Sequence, residues 1–316
     1  MKPSAAAILL TAIFIYPAMH FTPPGDAERI KAIGPITGLS SSLQRAFTPG
    51  NDFLSIKTPE PGDWLAEHPE RGQAFPEFVR SHFNRPDAVR KKIYLQPLGT
   101  FPEEGSPPLK VLRDYARAYF SMDVEVLPSL SFKNQQFTMR INRYTGKRQI
   151  LTHDVLNLLR TMLPSDAFCI LAITMEDLYP DPSWNFVFGQ ASLTERTGVY
   201  SFARYDPAFY GERRNSDYRK ILLKRSCRVL AHETGHMFGL HHCTFFQCSM
   251  NGSNHLKESD SRPLHLCPVC LRKLQHSIGF DIVKRYKSLK NFYRVNGFHD
   301  EARWVQDRLK YIAGGR

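Results

Sequence analysis

Hydrophobic and polar positions fall into regular patterns only beyond residue 90. Residues 20–90 are rich in Pro, Gly and Ser, with fragments such as "FTPPGD" and "TPEPGDW". That composition predicts an irregular extension carrying a short helix or two, one of them near residues 77–83. Order begins at "KKIYLQPLG" (91–99), which reads as a strand. In "PPLKVLRDYARAYF" (107–120), Leu109, Leu112, Tyr115, Ala116 and Tyr119 recur at helical spacing behind two prolines. "DVEVLPSLSF" alternates like a strand. "THDVLNLLRTML" (152–163) places Val155, Leu156, Leu159 and Met162 on one face, with Thr152 as the expected N-cap. "AFCILAITMEDLY" (167–179) is a continuous apolar run of the central-strand kind. Strands alternating with helices predict an α/β or α+β layer. "GVYSFARY" (198–205) is the clearest strand after that. Two helical patterns follow: "YRKILLKRSCRVLAHETGHMFGL", and one helix over 271–293 with Leu271, Leu274, Ile278, Ile282 and Tyr286 on a stripe.

Composition narrows this picture little. The 316 residues include 42% hydrophobic and 23% charged positions, an ordinary globular balance. The net charge of +12 is spread along the chain, so it predicts a solvated basic surface, and no nucleic-acid partner is expected. "MKPSAAAILLTAIFIYPAM" resembles a secretory signal, but it is short for a membrane span and lacks a small-x-small cleavage site. A cytoplasmic protein, also compatible with the nucleus, is expected; secretion or membrane contact through this run stays open.

The densest chemistry is "HETGHMFGLHHC" (232–243). His232 and His236, four apart on a helix, present convergent imidazoles. Glu233 sits where it can accept a proton from a water polarised by a metal. This is H-E-x-x-H on an apolar helix, a zinc hydrolase signature. Gly239 can adopt positive φ and end the helix, so that His242 turns back as a third ligand while the adjacent His241 stays exposed. Three neutral histidines leave the fourth zinc position free, the catalytic arrangement. The cysteines divide differently. Cys169 reads as a buried strand residue and Cys227 as a helix core position, whereas Cys243, Cys248, Cys267 and Cys270 form two close pairs.

The full string H-E-x-x-H-x-x-G-x-x-H resembles the metzincin motif, whose other mark is a methionine turn beneath the metal; Met250 in "CSMNGS" is the matching position. Fused to the four cysteines, and with "DLYPDPSWNFVFGQASL" and "GVYSFARY", it is similar to the archaemetzincin family across residues 91–290. The resemblance implies a zinc-dependent peptidase with two Zn2+ ions per chain. His232, His236 and His242 would hold the catalytic ion with Glu233 as general base, and the four cysteines a structural one. Two pairs of thiols suit a tetrahedral zinc cage in their own right, and two disulfides are the competing reading. The expected organisation is an N-terminal extension (1–90), a metzincin-like catalytic domain (91–290) and a C-terminal helical tail (291–316). Its sheet is mixed and twisted, with "GVYSFARY" as the candidate edge strand along the cleft. The expected working unit is a monomer acting on peptide or protein substrates. A zinc-binding peptide-interaction module with weak or no turnover is the alternative.

Overall fold

The run AFCILAIT explains the architecture: all eight of its residues are buried, so it must lie inside a sheet covered on both faces. The computed structural model describes residues 20–315. In chain order its strands are β1 (Lys92–Leu98), β2 (Asp123–Val126), β3 (Met139–Ile141), β4 (Arg148–Leu151), β5 (Ala167–Thr174), β6 (Asp177–Tyr179), β7 (Gly189–Ala191) and β8 (Thr197–Ser201). The main sheet runs β2-β1-β5-β8-β7. Its first four strands are parallel, and the edge strand β7 is antiparallel to β8. A smaller sheet, β3-β4-β6, stands beside it. The expected mixed sheet backed by helices is therefore what the chain builds.

Helices cover both faces. They are α1 (Asp26–Ile33), α2 (Ser41–Phe47), α3 (Trp64–Glu67), α4 (Phe75–Arg80), α5 (Leu109–Phe120), α6 (Thr152–Thr161), α7 (Tyr218–Met237), α8 (Leu256–Ser261), α9 (Pro268–Ile278), α10 (Ile282–Val295) and α11 (His299–Ile312). A register shift at the start of β5 pairs Lys92 with Ala167 but Ile93 with Cys169. From there Cys169, Leu171 and Ile173 face the larger core with α5, α7 and α10, while Ile170 and Ala172 face a smaller core with α6.

Residues 20–90 are not loosely attached. Ile33, Phe47, Phe53 and Phe78 enter the larger core. Two buried arginines then cap short helices from outside: Arg272 donates to the carbonyls of Ile33 and Pro35, and Arg308 to those of Arg45, Ala46 and Thr48. The carbonyls at a helix C-terminus need donors, and a cation also complements the local dipole.

Four local expectations are corrected. The helix over 271–293 is two, α9 and α10, because Gly279 ends the first at φ +77° and Asp281 caps the second through the amides of Val283 and Lys284. Thr152 is the first helical residue rather than the cap; its hydroxyl bonds the Gln190 side chain instead. The apolar run 167–179 splits between the two sheets as β5 and β6. "GVYSFARY" is no edge: β8 lies between β5 and β7, and the chain turns into a 3₁₀ segment at Ala203–Tyr205. The N-terminal apolar run (1–19) lies outside the described residues. Among those described, no helix is long and apolar enough to cross a membrane.

Candidate metal centres

The last two turns of α7 are almost wholly buried, and they hold His232 and His236 one turn apart with Nε2 atoms 3.1 Å from each other. Gly239 then stops the helix at φ +80°. Its amide donates to the His236 carbonyl (2.7 Å) and that of Leu240 to the Gly235 carbonyl (3.3 Å), the two bonds of a Schellman turn. A Cβ at position 239 would also sit 2.6 Å from the Phe83 side chain. The chain reverses, and the His242 ring arrives 5.2 Å from His232 and 5.0 Å from His236. One nitrogen from each of the three rings lies within 4.8 Å of the others. His241 is exposed and stays outside this cluster.

Each ring is oriented by its far nitrogen. His232 Nδ1 donates to the Ser249 carbonyl (2.9 Å), His236 Nδ1 to the Leu240 carbonyl (2.7 Å), and His242 Nδ1 to the Glu70 carboxylate (2.9 and 3.0 Å). These acceptors can take only a proton, so in the neutral rings the three Nε2 lone pairs are left facing one another. Burial, and secondly the charge of neighbouring His242, pushes His232 down to about 3; His236 is likewise held well below its ordinary value by burial. Facing lone pairs at this spacing fit a cation and little else.

Glu233, in the same turn, is 6% exposed and receives no hydrogen bond from the described residues. Burial pushes its carboxyl up to about 8, and a nearby dication would draw it down again. The backbone of β7 passes directly over it. A Cβ on Gly189 would lie 2.7 Å from Glu233 Oε1, so only glycine allows this approach. β7 and the carboxylate border a cleft of about 710 Å³ that also exposes the three histidines. The edge strand at the cleft is thus β7, with its free edge available, in place of the expected "GVYSFARY".

The turn after His242 builds the second cluster. Cys243, Cys248, Cys267 and Cys270 are buried, carry no disulfide, and bring four sulfurs within 4.8 Å of one another. Cys243 and Cys267 sulfurs are 3.5 Å apart, beyond bonding distance, and the Cys267 amide points at the Cys248 sulfur (3.2 Å). Asn251 braces the turn, accepting from the Cys248 amide and donating to the carbonyls of Cys243 and Phe246. Burial opposes ionisation of Cys243, yet hydrogen bonds from the other three thiols bring it well below its ordinary value. Burial and the Cys243 charge hold Cys267 well above. A dication among the four sulfurs would stabilise every thiolate together. Met250 lies between the clusters, fully buried. Its carbonyl accepts the Cys243 amide (2.8 Å), and its sulfur lies 2.5 Å from where a Cβ on Gly235 would stand. Glycine at 235 therefore lets the methionine pack directly under the histidine helix.

Sequence reasoning missed Glu70. It sits in the irregular stretch before β1, where no periodicity marks it. Burial would raise its carboxyl, but the hydrogen bonds from His242 and from Trp64 Nε1 (2.8 Å) bring it below its ordinary value. A third group, Asp63, His255 and Glu258, is also close enough to bind a metal. Its atoms are otherwise engaged: His255 accepts the Glu258 amide at Nδ1 and so donates from Nε2 to Asp63, while Glu258 accepts three backbone or guanidinium donors.

A helix-borne histidine pair, a third imidazole returned by a glycine turn and a free carboxylate beside them define the metal-dependent hydrolase class of site. A sequence model of Peptidase family M54 matches residues 127–276. Archaemetzincin-2 of Macaca fascicularis is 41% identical over 300 residues, covering 86% of this chain and 80% of that protein. Archaemetzincin-2 of Homo sapiens is 40% identical over the same shares. Among solved structures, the archaemetzincin of Methanopyrus kandleri is 28% identical over 61% of this chain and 97% of that one, with a TM-score of 0.43. The chain belongs to the archaemetzincin family and is a zinc metallopeptidase.

Proposed function

We propose that the chain cleaves peptide bonds at a zinc ion held by His232, His236 and His242, with Glu233 as general base, and that Cys243, Cys248, Cys267 and Cys270 hold a second, structural zinc. The observation that carries this reading is the orientation of the three imidazoles, each turned by an acceptor at Nδ1 so that the Nε2 lone pairs converge. Zinc held there would supply Lewis acidity toward the scissile carbonyl. Glu233 takes the proton of the attacking water and returns it to the departing amine. Burial without donors raises its proton affinity, and a cation held by the histidines would draw the carboxyl back toward its ionised, proton-accepting form. Substrate backbone adds to the free edge of β7, which Gly189 holds against Glu233.

The catalytic unit is assigned to residues 91–290, with 1–90 as an extension and 291–316 as a helical tail. The chain acts as a monomer on peptides or proteins, in a reducing compartment that keeps the four thiols free, the cytoplasm or nucleus. Glu233→Gln should retain zinc and fold but lose about 10²–10⁴-fold in peptide hydrolysis. Near-normal turnover in that variant, with zinc verified, rejects the role of Glu233. A wild-type protein that holds zinc yet cleaves nothing in a peptide library would instead be the binding module.

A further inference from the structure

We infer that Glu70 is a positioning residue for the catalytic metal: its carboxylate, delivered to the wall of the cleft by a strap of residues 60–73, fixes the ring of His242. The inference rests on the proposed three-imidazole site and extends it to a segment that the family match, residues 127–276, leaves out.

Of the three imidazoles, two have their Nδ1 acceptors supplied by nearby backbone, the Ser249 and Leu240 carbonyls. His242 alone is held by a side chain, and by one 172 residues away. It is also the ligand with least local support, since it follows the helix end rather than standing on the helix. Both carboxylate oxygens approach its Nδ1, at 2.9 and 3.0 Å. The carboxylate is itself fixed: Trp64 Nε1 donates to it, and the Trp64 ring meets His242 edge-to-face at 5.0 Å.

The strap is fastened at both ends. At one end the Trp64 amide donates to both Glu258 oxygens (3.1 Å each), Asn254 donates to the Gly62 carbonyl, and His255 donates to Asp63. At the other, the Lys273 ammonium on α9 is buried against the carbonyl and side chain of Gln73. Close packing excludes larger side chains along its course. A Cβ on Gly72 would meet the Thr244 hydroxyl, and one on Gly252 would lie 2.5 Å from the Trp64 ring. The group of Asp63, His255 and Glu258 thus serves as an anchor for the strap. The strap also reaches across the cleft mouth, where His68 stacks on Trp184 (centroids 5.5 Å apart, planes 9° apart) from the loop before β7.

A carboxylate on the far nitrogen of a ligating imidazole fixes the tautomer and raises ligand basicity, and losing it costs about 10- to 100-fold in metal affinity. The test is the release rate of each zinc ion from the full chain into excess chelator, for wild type, Glu70→Ala, Glu70→Gln and His242→Ala. Glu70→Ala should release one zinc about 10- to 100-fold faster and the other at the wild-type rate. Glu70→Gln keeps an acceptor oxygen for His242 and Trp64, so it should fall between Glu70→Ala and wild type. Wild-type release from Glu70→Ala overturns the inference. So does a Glu70→Gln variant no slower than Glu70→Ala, since loss of packing or fold would not distinguish an acceptor from none. If His242→Ala also holds both ions like wild type, the three-imidazole site itself has failed; if only Glu70→Ala does, that site stands and the positioning role falls.

Discussion

The two ligand clusters share a peptide bond, between His242 and Cys243, yet they are built on opposite principles. The imidazoles are partly exposed, open onto a cleft of about 710 Å³, and each is oriented by an acceptor outside the cluster. The thiols are fully enclosed and make their contacts with one another and with the turn that carries them. An open set held from outside can keep a coordination position for substrate. A closed set, with a metal bound, would cross-link the turn after the histidines to the first turn of α9. On the proposed function, reactivity and cohesion would be separated across the turn 242–250, whose Met250 packs under the histidine helix.

That contrast fails most visibly if the thiol set proves dispensable. Cys267→Ser should lower zinc content by about one ion and destabilise the entire C-terminal half, because binding energy at a structural zinc, about 10–16 kcal/mol in small zinc domains, adds to folding. Elemental analysis with thermal unfolding reads both. A variant with one zinc fewer and wild-type unfolding would remove the structural role. Graded chelation sharpens the comparison next. Hydrolysis should vanish at chelator concentrations that leave the cooperative unfolding transition in place, one zinc leaving before the other. Simultaneous loss of both ions and of the fold would mean that the two clusters behave as one.

A smaller effect isolates the open site from any metal question. Gly189→Ala places a methyl 2.7 Å from Glu233 Oε1 and 2.8 Å from its Cδ. Displacing the carboxylate by a fraction of an ångström should lower kcat by about tenfold, on the scale by which 1 Å costs about 10². Zinc content should not change. An unaffected kcat would show that β7 does not hold Glu233 in place.

How much of this was legible in the sequence follows from the range of each interaction. His232, Glu233, His236, Gly239 and His242 interact within eleven residues, so helical spacing and one glycine suffice to bring them together. The buried strand β5 was legible for the same reason, as was α5. The break between α9 and α10 was also written locally, in Gly279 and Asp281, but an apolar stripe running through both obscured it. The edge strand was misplaced because β7 is only three residues long, Gly-Gln-Ala, with no alternation to mark it. Glu70 carries no local signal at all. Its meaning comes from a ring 172 positions later.

That distance also governs when the enzyme comes into being. The strap's main contacts, Glu70 to His242, Trp64 to Glu258 and Gln73 to Lys273, span 172, 194 and 200 residues. Contacts of such separation form late, since the intervening chain must close a long loop first. A nascent chain on the ribosome presents the strap early and keeps it waiting. Only when α9 has emerged can Lys273 fasten it at Gln73, so the strap gains its full set of contacts only after residue 273 is made.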